Sequence, residues 1–487
     1  MDMSTQASNS SSTVELGNIK KLPIMISLII GAFFSILNET LLNIALPTLV
    51  IDLNVTQSTI QWLAAGYMLL VGVLVPASAL LVQWFTTRQM FLGAMILFTF
   101  GTLICAIAPS FSVLLIGRLF QAAGTGLMLP VLMNTILVLY PPEKRGAAMG
   151  TLGLVIMFAP AIGPTLSGLI LDSLDWRWLF ILVLPFAIFS IIFAYIYLKN
   201  VTDVNKPKVD VFAIVLSTLG FGGIVYGFSS SGERGWTSPV VYVSLVVGII
   251  ALIWFIRRQL KSKEPMLDMR TFKSPMFTLS TILLIIVMMT LFSTMLLLPF
   301  LLQGALLFTA FMTGVIMLPG GVLNGLLSPI LGKVFDKYGP RALVIPGTAF
   351  LVLIMWLFTR VSLETTTSTF IVLHISIMIA IAMIMMPVQT NGLNELPRKL
   401  YPHGTAILNT LMQVSGAIGV AFFISIMSSG QRTYLEGSSD PTAFDQQAEA
   451  LLMGVKNSFM VGLVFAIIAF VVALFMKRTK APEEAKE

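Results

Sequence analysis

The stretch LGKVFDKYGPRALVI, Leu331 to Ile345, has an echo much earlier in the chain. SALLVQWFTTRQMFL, Ser78 to Leu92, aligns with it without a gap, setting Ala79 against Gly332 and Arg88 against Arg341. A second pair, YPPEKRGAA at 140–148 and YPHGTA at 401–406, repeats the relation. Self-similarity of this kind marks repeated units, and counting the apolar runs between the echoes defines them. Windows of about 20 apolar residues, each enough to cross a ~30 Å hydrocarbon core, fall roughly at 22–47, 58–82, 89–108, 112–139, 146–171, 178–198, 211–229, 239–258, 276–300, 308–331, 342–361, 369–389, 404–428 and 457–476. Fourteen helices are expected, and both echoes relate one helix to the helix eight places later. Two halves of six helices would show a shift of six, so the seventh and eighth helices read as an insertion. Two pseudo-symmetric halves place a substrate site near the membrane midplane.

Composition agrees with an all-α integral membrane protein. Of 487 residues, 57% are hydrophobic and only 10% charged, whereas soluble domains carry about 25% charged residues. The mean hydropathy is +0.93. The net charge of +7 is explained by topology. The N-tail, the alternate loops that follow and the C-tail hold 23 of the 29 Lys and Arg, while the opposite loops hold five: Arg177, Arg234, Arg360, Arg432 and Lys456. Both termini are therefore expected in the cytoplasm, and no nucleic-acid partner is called for. The expected divisions are a cytoplasmic tail 1–21, a six-helix half 22–199, two central helices in 200–260, a second half 261–476 and a cytoplasmic tail 477–487. The first apolar run is longer than a signal-peptide core and lacks a small-residue cleavage site, so it reads as an uncleaved span.

Several chemistries are not expected. The lone Cys105 allows no intrachain disulfide or thiolate cluster, and His374 and His403 are too few for a histidine metal site. There is no G-x-x-x-x-G-K-[ST] run for a nucleotide, and no loop joins a nucleophile to a base. Neither an enzyme nor a bound cofactor is expected. His374 reads as a polar helix contact, and the outer loop 429–456 as a polar connection with a possible short helix.

Charge inside the spans is sparse: Glu39, in FFSILNETLLNIALP (33–47), and Arg118 in the fourth span. Charged residues cost several kcal/mol within a bilayer and default to function. At ~1.5 Å per residue, Glu39 lies about 12 Å, and Arg118 roughly 9 Å, below the same outer surface. Such a pair could titrate between two environments, as proton exchange requires. It could equally be an ion pair locking helices one and four, or each member could bond polar neighbours such as Asn38, Asn43 and Gln121. Asn38 and Glu39 point ~100° apart, so they cannot aim equally at a cavity. Asn38, Asn43, Tyr67 and Gln121 are the candidate cavity residues; Trp62 reads as an interface anchor. In APAIGPTLSG (159–168), Pro160, Gly163, Pro164 and Gly168 mark a bent helix that allows close packing.

LNETLLNIALP (37–47), QWLAAGYML (61–69), RLFQAAGTG (118–126), APAIGPTLSG, DWRWLF (175–180) and PGG followed by GKVFDKYGPR (319–341) together resemble the motifs of the fourteen-helix drug:proton antiporters of the major facilitator superfamily, with similarity to the lincomycin-type multidrug exporters of Gram-positive bacteria. The resemblance covers essentially the whole chain. It implies a major facilitator fold and a proton-coupled multidrug antiporter of the cell membrane. The implied energy source is the proton gradient, the substrates are amphipathic drugs, and a monomer is expected. It implies proton transfer at Arg118, an exporter motif at Gly163, Pro164 and Gly168, and a gate loop at Asp336, Gly339 and Arg341. The chain departs from the pattern in carrying Asn38 with Glu39 beside it where an aspartate is usual. In the first-half gate loop it has Gln83 and Thr86, where an aspartate and a glycine are usual. Asn324 stands in span ten with no acid, and Met412 where some relatives have an arginine. A dedicated exporter of an endogenous metabolite or lipid, and a non-transporting sensor or scaffold, are the alternatives.

Overall fold

A computed structural model describes residues 21–139, 159, 162–198, 200, 210–262, 265–397, 400–438 and 440–479. The described residues contain no strand, and thirteen of their helices are long and apolar enough to span a membrane. In chain order the helices are α1 (Lys21–Asp52), α2 (Trp62–Trp84), α3 (Thr87–Ala106), α4 (Phe111–Leu139), α5 (described over 162–173), α6 (Val183–Tyr197), α7 (Val211–Arg234), α8 (Pro239–Lys261), α9 (Pro275–Pro299), α10 (Ala310–Tyr338), α11 (Arg341–Phe358), α12 (Thr367–Asn394), α13 (Tyr401–Glu436) and α14 (Phe444–Leu474). The start of the fifth span, Pro160 and the 140–148 member of the second echo lie outside the described residues. So do most of both expected tails.

Local chemistry accounts for where helices begin. Thr86 caps α3 by accepting from Gln89 N while Gln89 returns a bond to Thr86 N, a reciprocal capping box. Thr309 caps α10 through Met312 N, and Asp210 caps α7 through Ala213 N. The apolar windows locate the lipid-embedded lengths better than the helix ends. α1 continues past Pro47 to Asp52, since a proline inside a spanning helix is tolerated. α13 runs on to Glu436 and α14 starts at Phe444, so most of the expected 429–456 loop is helix. Helical hydrogen bonding continues wherever backbone geometry allows it, and polarity alone does not end it.

Lys21 and Asp52 mark the two faces of the bundle. α7 packs on α13 and α2, while α8 has α7 as its main neighbour. Glycines form the α7–α8 seam: a methyl on Gly223 would lie 2.9 Å from the Ser244 carbonyl oxygen, and one on Gly248 2.8 Å from that of Gly220. The outer side of α8 exposes Tyr242, Val246, Ile250 and Trp254, a surface suited to lipid. The inserted pair thus sits at the edge of the bundle, along the α2–α13 seam.

The two halves meet toward the Asp52 face. Ser58 Oγ donates to Ser428 Oγ at 3.3 Å, Thr165 Oγ1 to Gly314 O at 3.1 Å, Gln303 Nε2 to Ile44 O at 3.0 Å, and Phe311 N to Asp172 Oδ1 at 3.3 Å. Glycines let α5 and α10 interlock there. A methyl on Gly168 would lie 2.4 Å from Ala310 O, and one on Gly314 2.4 Å from Pro164 O. Gln303 belongs to a π-helical turn, Phe300–Ala305, that continues α9; such turns recur at functional sites.

Candidate functional site

Among the described residues, the charged residues deep in the first half, Glu39 and Arg118, are placed by α1 and α4. Arg118 is 1% exposed, so its guanidinium must find acceptors within the protein. It finds them on three elements. Nη1 donates to Asn38 Oδ1 of α1 at 2.8 Å and to Gln121 Oε1 of its own helix at 3.0 Å; Nε donates to the Leu63 carbonyl of α2 at 3.3 Å. The guanidinium carbon also lies 4.2 Å from the centre of the Tyr67 ring, a cation–π contact.

A second layer fixes these partners. Gln121 Nε2 donates to Thr102 Oγ1 of α3 at 2.8 Å, and Tyr67 OH donates to Thr125 Oγ1 at 2.7 Å. Small residues permit the approach of α3 and α4: a methyl on Gly101 would lie 2.5 Å from Gly117 O, and one on Gly124 2.5 Å from Ala94 O. The result is a rigid, four-helix polar network within an apolar core. Its charge is not balanced by contact. The described ion pairs join Arg177 to Asp175, Arg258 to Asp210 and Arg270 to Asp268, and none includes Arg118.

Glu39 stands apart from this network. It is half-buried, whereas Asn38 is 1% exposed. The ~100° step between neighbours on a helix has given the helix contact to Asn38 and the more open direction to Glu39. Among the described residues no hydrogen bond or ion pair to Glu39 is found. Asn38 itself has an unpartnered amide nitrogen, because its oxygen must face the Arg118 donor. The arrangement is a fixed buried cation, held by neutral acceptors, with a carboxylate nearby that can exchange a proton without breaking a described bond.

Of the other expected site residues, Tyr67 and Gln121 are buried within the Arg118 network and Asn43 is buried in α1. Gly163 packs on α1, where a methyl would lie 2.3 Å from Thr40 Oγ1, and Gly168 packs on α10. Pro164 is buried in the same helix, its carbonyl against Gly314. The loop expected to serve as a gate meets the segment after α14. Arg341 Nε donates to Met476 O at 2.6 Å and Arg478 Nη2 to Asp336 O at 2.7 Å, while Gly339 adopts φ +78° against the Arg478 side chain. Asn391 of α12 completes this clasp, donating to Lys477 O at 3.0 Å and accepting from Thr479 N at 3.0 Å. Sequence inspection did not find the Leu63 carbonyl, Thr102 or Thr125. A backbone carbonyl and two threonines in apolar runs carry no signal until helices are paired.

Such a bundle, with two halves joined at one face and a buried charge between helices, defines a polytopic membrane transporter. The Major Facilitator Superfamily profile matches residues 28–420, and the chain belongs to that superfamily. It is 54% identical over 463 residues to the lincomycin resistance protein LmrB of Bacillus subtilis (strain 168), covering 95% of this chain and 97% of that relative. It is 44% identical to the MFS-type transporter YcnB of the same organism, covering 94% and 95%. The fold is shared with a bacterial homologue of the human lysosomal transporter Spinster in an inward-facing, occupied conformation: TM-score 0.69, 13% identity, 93% of this chain and 96% of that one. A POT family transporter in complex with 5-aminolevulinic acid is similarly alike, at TM-score 0.68 and 15% identity, covering 94% and 95%.

Proposed function

We propose that this transporter is a proton-coupled multidrug antiporter of the cell membrane, acting as a monomer and exporting amphipathic compounds, lincomycin-type antibiotics among them. The observation that carries this reading is the buried, neutral-partnered Arg118 beside a half-buried, unpaired Glu39. A carboxylate that binds a proton or a cationic substrate, but not both, couples the two fluxes by competition. The names of the relatives at 54% and 52% identity support drug export. Asn38, Tyr67 and Gln121, expected as cavity residues, are buried and hold Arg118 in place behind the face that Glu39 presents, and Asn43 is buried in the same helix as Glu39.

Both termini face the cytoplasm, since 23 of the 29 Lys and Arg lie on the side of the Lys21 face or in the tails. The Asp52 face is then external. The hydrogen bonds described between the halves lie toward it, so this conformation is closed outward. Alternating access proceeds by rocking of 22–199 against 261–476, with Gly163, Pro164 and Gly168 at the pivot. Asp336, Gly339 and Arg341 form the cytoplasmic gate loop, and 200–260 rides at the edge.

The deciding experiment uses everted vesicles loaded with a fluorescent cationic dye or lincomycin. Glu39→Gln is expected to abolish gradient-driven transport and substrate-induced proton release. Unchanged proton-coupled transport in that variant would remove Glu39 from the coupling role, and wild-type vesicles without any substrate-induced proton movement would overturn antiport itself.

A further inference from the structure

The echo that defines the two halves also pairs residues inside the membrane. The register that sets Arg88 against Arg341 sets Tyr67 of α2 against Gly320 of α10. Counted from the helix start, Arg118 is the eighth residue of α4, and the eighth residue of α12, the corresponding helix, is His374, one turn beyond Ile371, which the echo register itself sets against Arg118. The structure reproduces this pairing in space. In the first half the Arg118 guanidinium lies on the Tyr67 ring. In the second, His374 lies on Gly320, where an added methyl would come within 2.4 Å of His374 Nδ1 and 2.9 Å of Cε1. Loss of the Tyr67 ring at Gly320 makes room for an imidazole at the place of the guanidinium.

The two sites differ in the chemistry they permit. A guanidinium is always charged, and Arg118 is accordingly bonded to acceptors on α1, α2 and its own helix. An imidazole can be carried neutral or charged. His374 is 3% exposed, and its Nδ1 has no hydrogen-bond partner. A buried unpartnered polar atom costs stability and calls for a role beyond packing. Among the described residues no fixed charge faces it. α9 carries no titratable residue. The charged and titratable groups of α10 and α11, namely Lys333, Asp336, Lys337, Tyr338 and Arg341, lie at the Lys21-face end. α12 carries no other ionisable group, and Glu395, which follows its last residue, is also at that end. Arg360 and Glu364 lie in the α11–α12 connection at the Asp52 face. α13 brings Tyr401 and His403 at one end and Arg432, Tyr434 and Glu436 at the other.

We propose that His374 is a second proton-binding site, in the C-terminal half, occupying the pseudo-symmetric counterpart of the Arg118 position. One proton from water adds to the imidazole lone pair to give an imidazolium, and the same proton leaves to water when the halves rock; no other group changes. This rests on the antiport reading above, with Glu39 serving the first half and His374 the second.

Two measurements test it. In proteoliposomes containing a pH-indicator dye, protons moved per lincomycin are counted for wild type and for His374→Gln. The count is expected to fall by about one in the variant, while lincomycin–lincomycin exchange without a gradient persists. Equal counts would overturn the proposal, and wild-type vesicles with no coupled proton movement would overturn it together with the antiport reading. If His374→Gln does not fold, His403→Gln leaves His374 as the sole histidine, and ring-¹⁵N-histidine spectra report it directly. A protonated imidazole appearing as the pH is lowered, and displaced by bound lincomycin, is expected. An imidazole neutral throughout, with and without lincomycin, overturns the proposal.

Discussion

At the scale of single residues, the site is governed by how a permanent cation is satisfied in an apolar interior. Arg118 has neutral acceptors, and Asn38 satisfies it with its oxygen while leaving its own amide nitrogen without a partner. Asn38→Asp removes that orphan donor and offers a carboxylate for a charge-assisted bond. The variant is expected to raise the melting temperature of the solubilised protein, by an amount equivalent to ~1–3 kcal/mol, and to slow transport by tightening α1 against α4. Melting curves and initial efflux rates check this; an unaltered melting temperature would refute it. Glu39→Gln makes the complementary prediction, loss of coupling with the fold intact, because Glu39 gives up no described bond. The opposite result for both variants would mean that Asn38, not Glu39, faces the transport path.

At the scale of elements, glycines decide which helices may touch. The closest α5–α10 approach sets Gly168 against the backbone of Ala310 and Phe311, which cannot move aside as a flexible side chain could. Gly168→Val is therefore expected to reduce transport at least tenfold while leaving membrane insertion intact, measured by efflux per copy of protein in the membrane. The outlying α7–α8 hairpin is held by its glycine seam and, at its ends, by Arg258 donating to Asp210 at 2.6 and 3.0 Å. That bond holds the Asp210 carboxyl below its usual range. A depressed carboxylate contributes stability above its unfolded pKa of about 3.9 and loses that contribution as pH falls through the lower folded value. Both side chains are more than a quarter exposed, so solvent screening limits the contribution to ~0–1 kcal/mol. The melting-temperature gap between wild type and Asp210→Asn is expected to be small at pH 7 and to vanish below pH ~4. A gap that widened on acidification would contradict the assignment.

At the scale of the whole molecule, the halves are joined toward one face, and cross-linking can hold them there. Ser58 and Ser428 meet through their hydroxyls at 3.3 Å, and the chain has one cysteine, Cys105, which is buried. In a Cys105→Ala background, Ser58→Cys with Ser428→Cys is expected to block transport on oxidation and to recover it on reduction; transport unaffected by a formed cross-link would show that this contact need not open. The amino-acid sequence by itself determined the class of molecule and much of its plan. Apolar run length located thirteen helices now described, because a bilayer of fixed thickness imposes a length on anything that crosses it. The echoes pointed to the inserted pair, the motifs from LNETLLNIALP to GKVFDKYGPR carried the resemblance to the superfamily, and the rarity of charge in a bilayer singled out Glu39 and Arg118. Helix ends were less legible, as α13 and α14 show, since backbone bonding ignores where lipid stops. The pairing of Arg118 with Asn38 and not with Glu39, the Leu63 carbonyl among its acceptors, and the seating of His374 on Gly320 were decided only by the tertiary structure. Depth along a helix follows from counting residues, but rotation about its axis, which chooses between neighbours ~100° apart, is set by the helices packed against it.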